Sequence, residues 1–436
     1  MSTSLKTKQC RICGNGDLAP VLDLGEQRLS GVFPEQNAPQ PSLSPLQLLR
    51  CDTSANPDGC GLVQLGHTAD LDEMYGATYG YHSSLSPTME SHLRAKIVKL
   101  LDFVQPSPGD TILDIGCNDG TLLNCCEGRG LTRIGIDPSS EKFASAFQPD
   151  IHVTYDFFSA ERVLGLVGDR RCRIITSIAM FYDIDDPTDF MRQIKSVLAP
   201  DGVWALELSY LPLMLTNLTY DQICHEHVTY LSLTDMDRMA KRVGLRIVDV
   251  ETNEVNGGSF HLVLCHDDGP YASECAKISV YLAAEHALTS AAPYDRFRRR
   301  VLSHRDEVRH FFRLMQAAGQ RVCGYGASTK GNIVLNFCCL GPDDLPYISD
   351  RNTEKHGLIT PGSSIPIISH EQMRDDAPDY LFVLIWHFRK EVIRDEREFL
   401  ERGGKLVFSL PRLHVVDRCN AERYLNSGFD DLAFGL

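Results

Sequence analysis

One stretch constrains the fold more than any other. Thr111-Ile112-Leu113-Asp114-Ile115-Gly116-Cys117-Asn118-Asp119-Gly120 reads as an apolar strand running into an acid-bearing glycine turn, with a helix over residues 121–127 behind it. A chain that leaves a strand through a helix builds a parallel sheet covered by helices. The spacing of the following segments repeats the unit. A second strand, 133–136, ends at Asp137, about 20 residues on, where an α/β nucleotide-binding unit places a carboxylate for ribose hydroxyls. A third, 152–155, ends at Asp156-Phe157-Phe158, an acid beside aromatics suited to an adenine. A fourth, 174–178, carries Ser177 and ends at Ala179-Met180-Phe181-Tyr182-Asp183. Ligands of open α/β sheets sit beyond the carboxyl ends of the strands, so these ends are expected to line one crevice. An amphipathic helix over 89–104, with Leu93, Ile97, Leu100, Leu101 and Val104 on one face, precedes the unit.

The turn is not a P-loop, because no Gly-Lys-Ser/Thr follows it. Gly116-x-x-x-Gly120 departs from the G-x-G-x-x-G of dinucleotide sites, and Asp119 stands where a pyrophosphate would lie. An anionic diphosphate is disfavoured there, whereas a sulfonium with an amino group is not. The set resembles class I S-adenosylmethionine (SAM)-dependent methyltransferases. That resemblance implies that Asp114, Gly116, Asn118, Asp119 and Gly120 cradle the amino-acid part and that Asp137 holds the ribose. Asp156, Phe157, Phe158 and Ser177 complete the expected cofactor set.

A fifth strand, 203–208, is followed by Asp221-Gln222-Ile223-Cys224-His225-Glu226-His227. Three adjacent ionisable side chains after a strand end can be aimed into a cleft. Oxygen and nitrogen acceptors of a methyl group need little beyond deprotonation. A carbon acceptor must first lose a proton next to a carbonyl, and a histidine beside an acid suits that demand. Glu226 is expected to orient His227 or raise its basicity. A solvated loop is the alternative. A zinc site is disfavoured, since this spacing is not H-E-x-x-H. Beyond a helix near 234–243 come two strands, 246–251 and 259–265, flanking Asn256-Gly257-Gly258, where glycines allow a tight bend or close approach to a ligand.

Cys10-x-x-Cys13-Gly14 is a knuckle that brings two thiolates to one ion, and Cys51 and Cys60 supply a second, looser pair. Four thiolates leave no open coordination position, so a zinc ion there is structural. The segment holds few large apolar residues and is expected to need such a staple. Tyr75-Gly76-Ala77-Thr78-Tyr79-Gly80-Tyr81 follows, readable as a packed connection or as a lid presenting phenols.

Downstream, residues 294–318 show a helical pattern crowded with arginines, a solvated face or a phosphate patch. Residues 321–325 form a strand entering Gly324-Tyr325-Gly326-Ala327-Ser328-Thr329-Lys330-Gly331-Asn332, with a helix over 330–339. Free amides at that helix start, with Lys330, suit a diphosphate; a plain strand–helix turn also needs small residues. Strands at 347–349, 365–368, 380–385 and 405–408 and a helix over 388–401 indicate a second doubly wound sheet. Trp386-His387-Phe388 lies at a strand's carboxyl end, placed for a base or ribose contact or for core packing.

Taken together, the cysteine pairs, Tyr79-Gly80-Tyr81, the glycine turn at 113–120, the 221–227 loop, Asn256-Gly257-Gly258-Ser259-Phe260 and the 324–332 turn resemble the sugar C-methyltransferase family, which acts on nucleotide-linked deoxysugars. The resemblance implies an α/β protein of three parts: a zinc-binding module over 1–75, a SAM-dependent, Rossmann-like methyltransferase domain over 76–285, and a second Rossmann-like domain over 286–436 that holds the sugar nucleotide. It implies that His227 removes the C-3 proton of a 4-keto sugar, assisted by His225, Glu226, Tyr79, Tyr81 and Tyr182. Asn256, Gly257, Gly324, Tyr325, Gly326, Ala327, Lys330, Gly331, Asn332 and His387 are its expected substrate contacts. His82 and Cys224 depart from the family pattern, in which a basic residue and a tyrosine are expected.

The 436 residues are too many for one core. A net charge of −15 argues against nucleic acid as partner. No apolar run approaches the roughly 18–20 residues of a bilayer span, and no signal core opens the chain, so a cytoplasmic protein free of membrane is expected. In that compartment the 15 cysteines are thiols and metal ligands. No heptad or extended apolar stripe calls for an oligomer, and a monomer is the expectation.

Overall fold

The computed structural model describes residues 4–74, 82–168 and 170–428. Its N-terminal part is a four-stranded antiparallel sheet of β1 (Leu18–Arg28), β2 (Leu43–Cys51), β3 (Val63–Leu65) and a strand from far downstream, Thr229–Tyr230, paired to β3. Leu46, Leu48, Val63 and Leu65 are at most 1% exposed and share one core with Leu211, Tyr220 and Ile223. The expected metal staple is therefore joined by a shared core. The sheet borrows a core from the rest of the chain.

The central part opens with α1 (Pro87–Val104). Ser86 caps it by accepting the Met89 amide, and Leu93, Ile97, Leu100, Leu101 and Val104 turn inward as their spacing demands. The strands are β4 (Thr111–Ile115), β5 (Thr132–Ile136), β6 (Ile151–Thr154), β7 (Cys172–Ile178), β8 (Leu198–Ser209), β9 (Leu245–Asn253) and β10 (Ser259–His266), with α2 (Pro187–Val197) before β8 and α3 (Leu233–Val243) before β9. They are ordered β6-β5-β4-β7-β8-β10-β9. Strands β6 to β8 in that order are parallel, while β10 runs against both its neighbours. Near-continuous apolar runs such as Ile112-Leu113 and Ile174-Ile175 fit strands covered on both faces. The chain reverses its direction of winding between β4 and β7, so a crevice opens there.

The C-terminal part begins with α4 (Ala292–Ala317). Phe297, Val301, Val308 and Phe312 of α4 are buried, and Arg300 donates to the carbonyls of Leu215 and Thr216 at 2.9 Å each. Then come β11 (Val322–Tyr325), α5 (Thr329–Phe337), β12 (Ile348–Asp350), β13 (Ile367–Ser369), β14 (Tyr380–Val383), α6 (Arg389–Asp395), α7 (Arg397–Glu401), β15 (Lys405–Phe408) and β16 (His414–Val416). The order is β13-β12-β11-β14-β15-β16, with only β16 antiparallel. This is the dinucleotide-binding strand order, whose switch point lies between β11 and β14. The helix expected over 388–401 breaks at Glu396, because that side chain is drawn inward to accept the Tyr325 hydroxyl (3.2 Å) and Arg374 (2.6 Å).

A short segment ties the two Rossmann-like parts together. The Ser83 and Ser84 amides donate to Asn118 Oδ1 (2.9 Å) and Asp119 Oδ2 (2.8 Å). Ser86 and Thr88 donate to Glu391 Oε2 at 3.0 and 2.7 Å, and Glu391 also accepts Arg351 at 3.0 Å. The two crevices are thereby held in one frame. Among the described residues no helix is long and apolar enough to cross a membrane.

Candidate active site

The Sγ atoms of Cys10, Cys13, Cys51 and Cys60 lie within 4.8 Å of one another. Cys10 and Cys60 approach to 3.3 Å and Cys13 and Cys51 to 3.6 Å. Cys60 hydrogen-bonds to Cys10, which lowers the Cys10 thiol and raises its own, so the pair is poised to hold one thiolate. The Cys60 amide donates to Cys51 Sγ at 3.2 Å, which orients that sulfur. Four convergent sulfurs fit zinc in a closed, structural site.

A cavity of about 410 Å³ opens over the β4–β7 switch point. Asp114, Gly116, Asn118, Asp137, Asp156, Phe157 and Phe158 line it, together with Met180, Phe190 and Glu207. Burial pushes the Asp114 carboxyl up to about 7, helped by the charge of Asp137, although Thr176 donates to it at 2.6 Å. Asp137 accepts the Asn118 amide (2.9 Å) and both the amide and hydroxyl of Ser139 (2.7 Å each), which fixes its carboxylate at the cavity wall. Phe157 is 45% exposed, and Asp156 pairs with Arg162. Gly116 has φ +75 and an added Cβ would stand 3.0 Å from Met180, so a side chain there has no room.

Three expected cofactor residues lie elsewhere. Asp119 caps the turn by accepting the Thr121 hydroxyl (2.6 Å) and the Ser84 amide, and does not line the cavity. Gly120 makes room for the Phe147 ring, which an added Cβ would meet at 2.6 Å. Ser177 is fully buried in the sheet and accepts the Trp204 indole N–H at 3.1 Å.

A second cavity of about 290 Å³ lies between the central sheet and the β11–β14 switch point. Tyr182, Glu226, His227, Asn256, Tyr325, Gly326, Ala327, Lys330 and His387 line it, with Gly31 and Phe33 of the N-terminal part. The two cavities share a wall of Ala179, Asp183 and Asn256. The Tyr182 ring lies 4.0 Å from that of His227, centroid to centroid. Burial first, and then the Lys330 charge, hold the His227 imidazole down at about 3, against a backbone hydrogen bond to Gln222. Lys330 Nζ donates to the Asn256 carbonyl at 3.3 Å.

The expected Glu226–His227 pair is not formed. Glu226 is 8% exposed, its Oε2 has no partner among the described residues, burial raises its carboxyl, and its Oε1 packs where an added Cβ of Gly31 would stand 2.6 Å away. His225 points the other way and meets the Ser44 carbonyl of β2 at 3.1 Å, so it anchors the loop to the N-terminal sheet. Asn332 likewise leaves the cavity and donates to the Ser30 carbonyl at 2.8 Å. Gly257, Gly324 and Gly331 serve packing: an added Cβ would meet Trp386 at 2.6 Å, Ile348 at 2.4 Å and Leu384 at 2.7 Å. Tyr79 and Tyr81 lie outside the described residues.

The fold also brings in residues the sequence reading passed over. Asp183 faces both cavities one position beyond Tyr182. Asp350, at the end of β12, and Lys355 line the second cavity; Lys355 donates to the Ala327 carbonyl at 2.8 Å and lies 4.6 Å over the Phe33 ring. The signal for Asp350 was an acid ending the strand after the glycine turn, the same cue that singled out Asp137.

Two Rossmann-like sheets, with an acid-and-aromatic crevice over the central one, define a SAM-dependent methyltransferase. Comparison with known proteins narrows the class. The "Methyltransferase domain" family matches residues 89–250, the "C-methyltransferase C-terminal domain" 254–411 and the "Putative zinc binding domain" 10–75. The C-methyltransferase NovU of Streptomyces niveus is 31% identical over 419 residues, covering 94% of this chain and 96% of that protein. The chain belongs to this family of C-methyltransferases. A ubiquinone biosynthesis O-methyltransferase of Thiobacillus denitrificans is 24% identical over 215 residues, 46% of this chain and 88% of that protein. The solved CcbJ methyltransferase from Streptomyces caelestis is 13% identical with a TM-score of 0.32, covering 43% of this chain and 93% of that one.

Proposed function

We propose that the chain methylates C-3 of a nucleoside-diphosphate-linked 4-keto-deoxysugar through an enolate. The observation that carries this reading is the shared wall. A cofactor cavity and a cavity holding His227 meet at Ala179, Asp183 and Asn256, so an acceptor carbon at the seam faces both. SAM bound in the first cavity supplies an electrophilic methyl group. Asp114, Gly116 and Asn118 hold its amino-acid part, Asp137 its ribose, and Asp156, Phe157 and Phe158 its adenine. The sugar nucleotide lies over the carboxyl ends of β11 and β14, with its phosphates against the α5 amides and its base or ribose near His387. The parts are divided at about residues 75 and 285, as the resemblance implies.

Carbon has no lone pair to offer, so the proton next to the carbonyl must leave first. His227 takes it. Burial and Lys330 hold its imidazole at about 3. Negative charge developing on a substrate oxygen at Lys330 as the proton leaves cancels the second cause and moves the imidazole upward, toward the range of a working base. Tyr182 packs against the ring and limits its orientation. Glu226, kept protonatable by burial, offers a hydrogen bond to a sugar hydroxyl.

The test is a mass assay with SAM and a panel of dTDP-, CDP- and GDP-linked 4-keto-6-deoxysugars in deuterated water. The expected result is a methyl group on the ring and, without SAM, deuterium at C-3. His227→Asn is expected to lose both while still binding SAM. Methylation on oxygen, or normal exchange in His227→Asn, would sink the mechanism.

A further inference from the structure

The second cavity is lined by two lysines and an arginine, and they sit at different ends. Lys355 belongs to the C-terminal end: it is tied to the Ala327 carbonyl at 2.8 Å and faces the charges of Asp350 and Glu354. Arg351 is engaged by Glu391 (3.0 Å) and Asp395 (2.5 Å). Lys330, although it starts from the same glycine turn, reaches the opposite way. Its Nζ donates to the carbonyl of Asn256, a residue that walls both cavities. Its charge is felt by Asp221, Cys224, His227 and His387. The ammonium therefore stands at the seam, beside the proposed base, and not with the cations of the nucleotide end.

We propose that Lys330 Nζ binds the substrate's ketone oxygen and stabilises the enolate oxygen that forms there. The inference rests on the carbon-methylation reading and replaces the expectation that Lys330 serves the diphosphate. Enolate formation puts a full negative charge on that oxygen, and a preorganised cation in a dry site is the strongest available stabiliser. An ammonium has three N–H donors, of which the Asn256 carbonyl takes one. Asp221 stands behind it, 1% exposed, with Oδ2 held by the Trp386 indole N–H at 2.7 Å and Oδ1 without a partner. That carboxylate supports the charged form of Lys330 against its burial.

The electrons balance without a further reactant. His227 takes the C-3 proton, the C–H pair becomes the C3–C4 double bond, and the carbonyl pair moves onto the oxygen at Lys330. The enolate pair then forms the bond to the methyl carbon, the carbon–sulfur pair returns to sulfur, and the ketone is restored. Lys330 keeps its proton throughout.

The test measures deuterium exchange at C-3 without SAM, at saturating sugar nucleotide, beside the binding of dTDP, CDP and GDP alone. Lys330→Met is expected to slow exchange by about 10²–10³ while its affinity for the sugar-free diphosphates stays within about twofold. Lys355→Met is expected to do the reverse: about tenfold weaker diphosphate binding with near-normal saturated exchange. SAM binding reports folding; if Lys330→Met fails it, Lys330→Gln carries the same measurements. A Lys330 variant that binds the diphosphates about tenfold more weakly yet exchanges at the wild-type rate overturns the proposal. A wild-type protein that neither exchanges nor methylates any sugar of the panel overturns the carbon-methylation reading itself, before any variant is compared.

Discussion

Glu207 offers a test of how the cofactor cavity is held. It lies in β8, 3% exposed, on the cavity wall. Its Oε1 accepts His92 Nε2 at 2.6 Å, while Oε2 accepts Lys96 at 2.9 Å and Asn253 at 2.8 Å. Burial alone would raise this carboxyl, but His92 and Lys96 overcome it and hold it at about 2, against an ordinary 4.5. At about 1.4 kcal/mol per pH unit, that difference is worth about 3 kcal/mol. Glu207→Gln removes it and strands the Lys96 ammonium beside a neutral amide. The expected loss at pH 7 is about 3 kcal/mol, measured by urea or thermal unfolding. The sign with pH follows from a depressed carboxyl. Its contribution is full above about 4.5 and fades as the pH falls toward 2, so the gap between wild type and variant narrows in acid. A Lys96→Met double-mutant cycle should show coupling between the two sites. A variant within about 0.5 kcal/mol of wild type at neutral pH, or a gap that widens in acid, refutes the reasoning.

Asp114 carries the opposite sign. Pushed up to about 7 by burial, it costs the cofactor-free protein stability as the pH rises from about 4 to 7, by up to about 4 kcal/mol. Asp114→Asn should therefore raise the melting temperature at pH 8 while weakening SAM binding; a lower melting temperature would contradict this. Intact-protein mass spectrometry should find one zinc ion per chain, and Cys51→Ser should lose it with a drop in melting temperature but no wholesale unfolding, because the N-terminal sheet shares the common core. Gly257→Ala, at φ +88 and with its new Cβ 2.6 Å from Trp386, should destabilise by about 2 kcal/mol and shift tryptophan emission as Trp386 leaves Asp221; an unchanged spectrum would show that the loop yields freely.

Where the backbone is periodic, the sequence was readable. The face of α1, the strands of the two Rossmann-like sheets apart from β16, and the acid ending β5 follow from spacing that any helix or strand must obey. The cysteine knuckle was readable because two thiolates two residues apart can reach one ion. The glycine turn was readable as a turn but not residue by residue. Asp114 and Asp137 reach the cavity while Asp119 between them caps the chain, because loop side chains have no fixed period.

The 221–227 loop shows the same division. Its composition marked it as chemical, and that came from residue type alone. Which of these neighbouring side chains face the cavity was decided by partners distant in the sequence: His225 is pulled toward Ser44, and His227 is left against Tyr182. Lys330 and Asn332, two positions apart, diverge for the same reason, one to Asn256 and one to Ser30. Local sequence thus determined two Rossmann-like sheets, a four-thiolate knuckle and the set of groups available for catalysis. Only the tertiary structure decided which of those groups meet, because the second cavity is lined by all three parts of the chain, and no local pattern encodes how they dock.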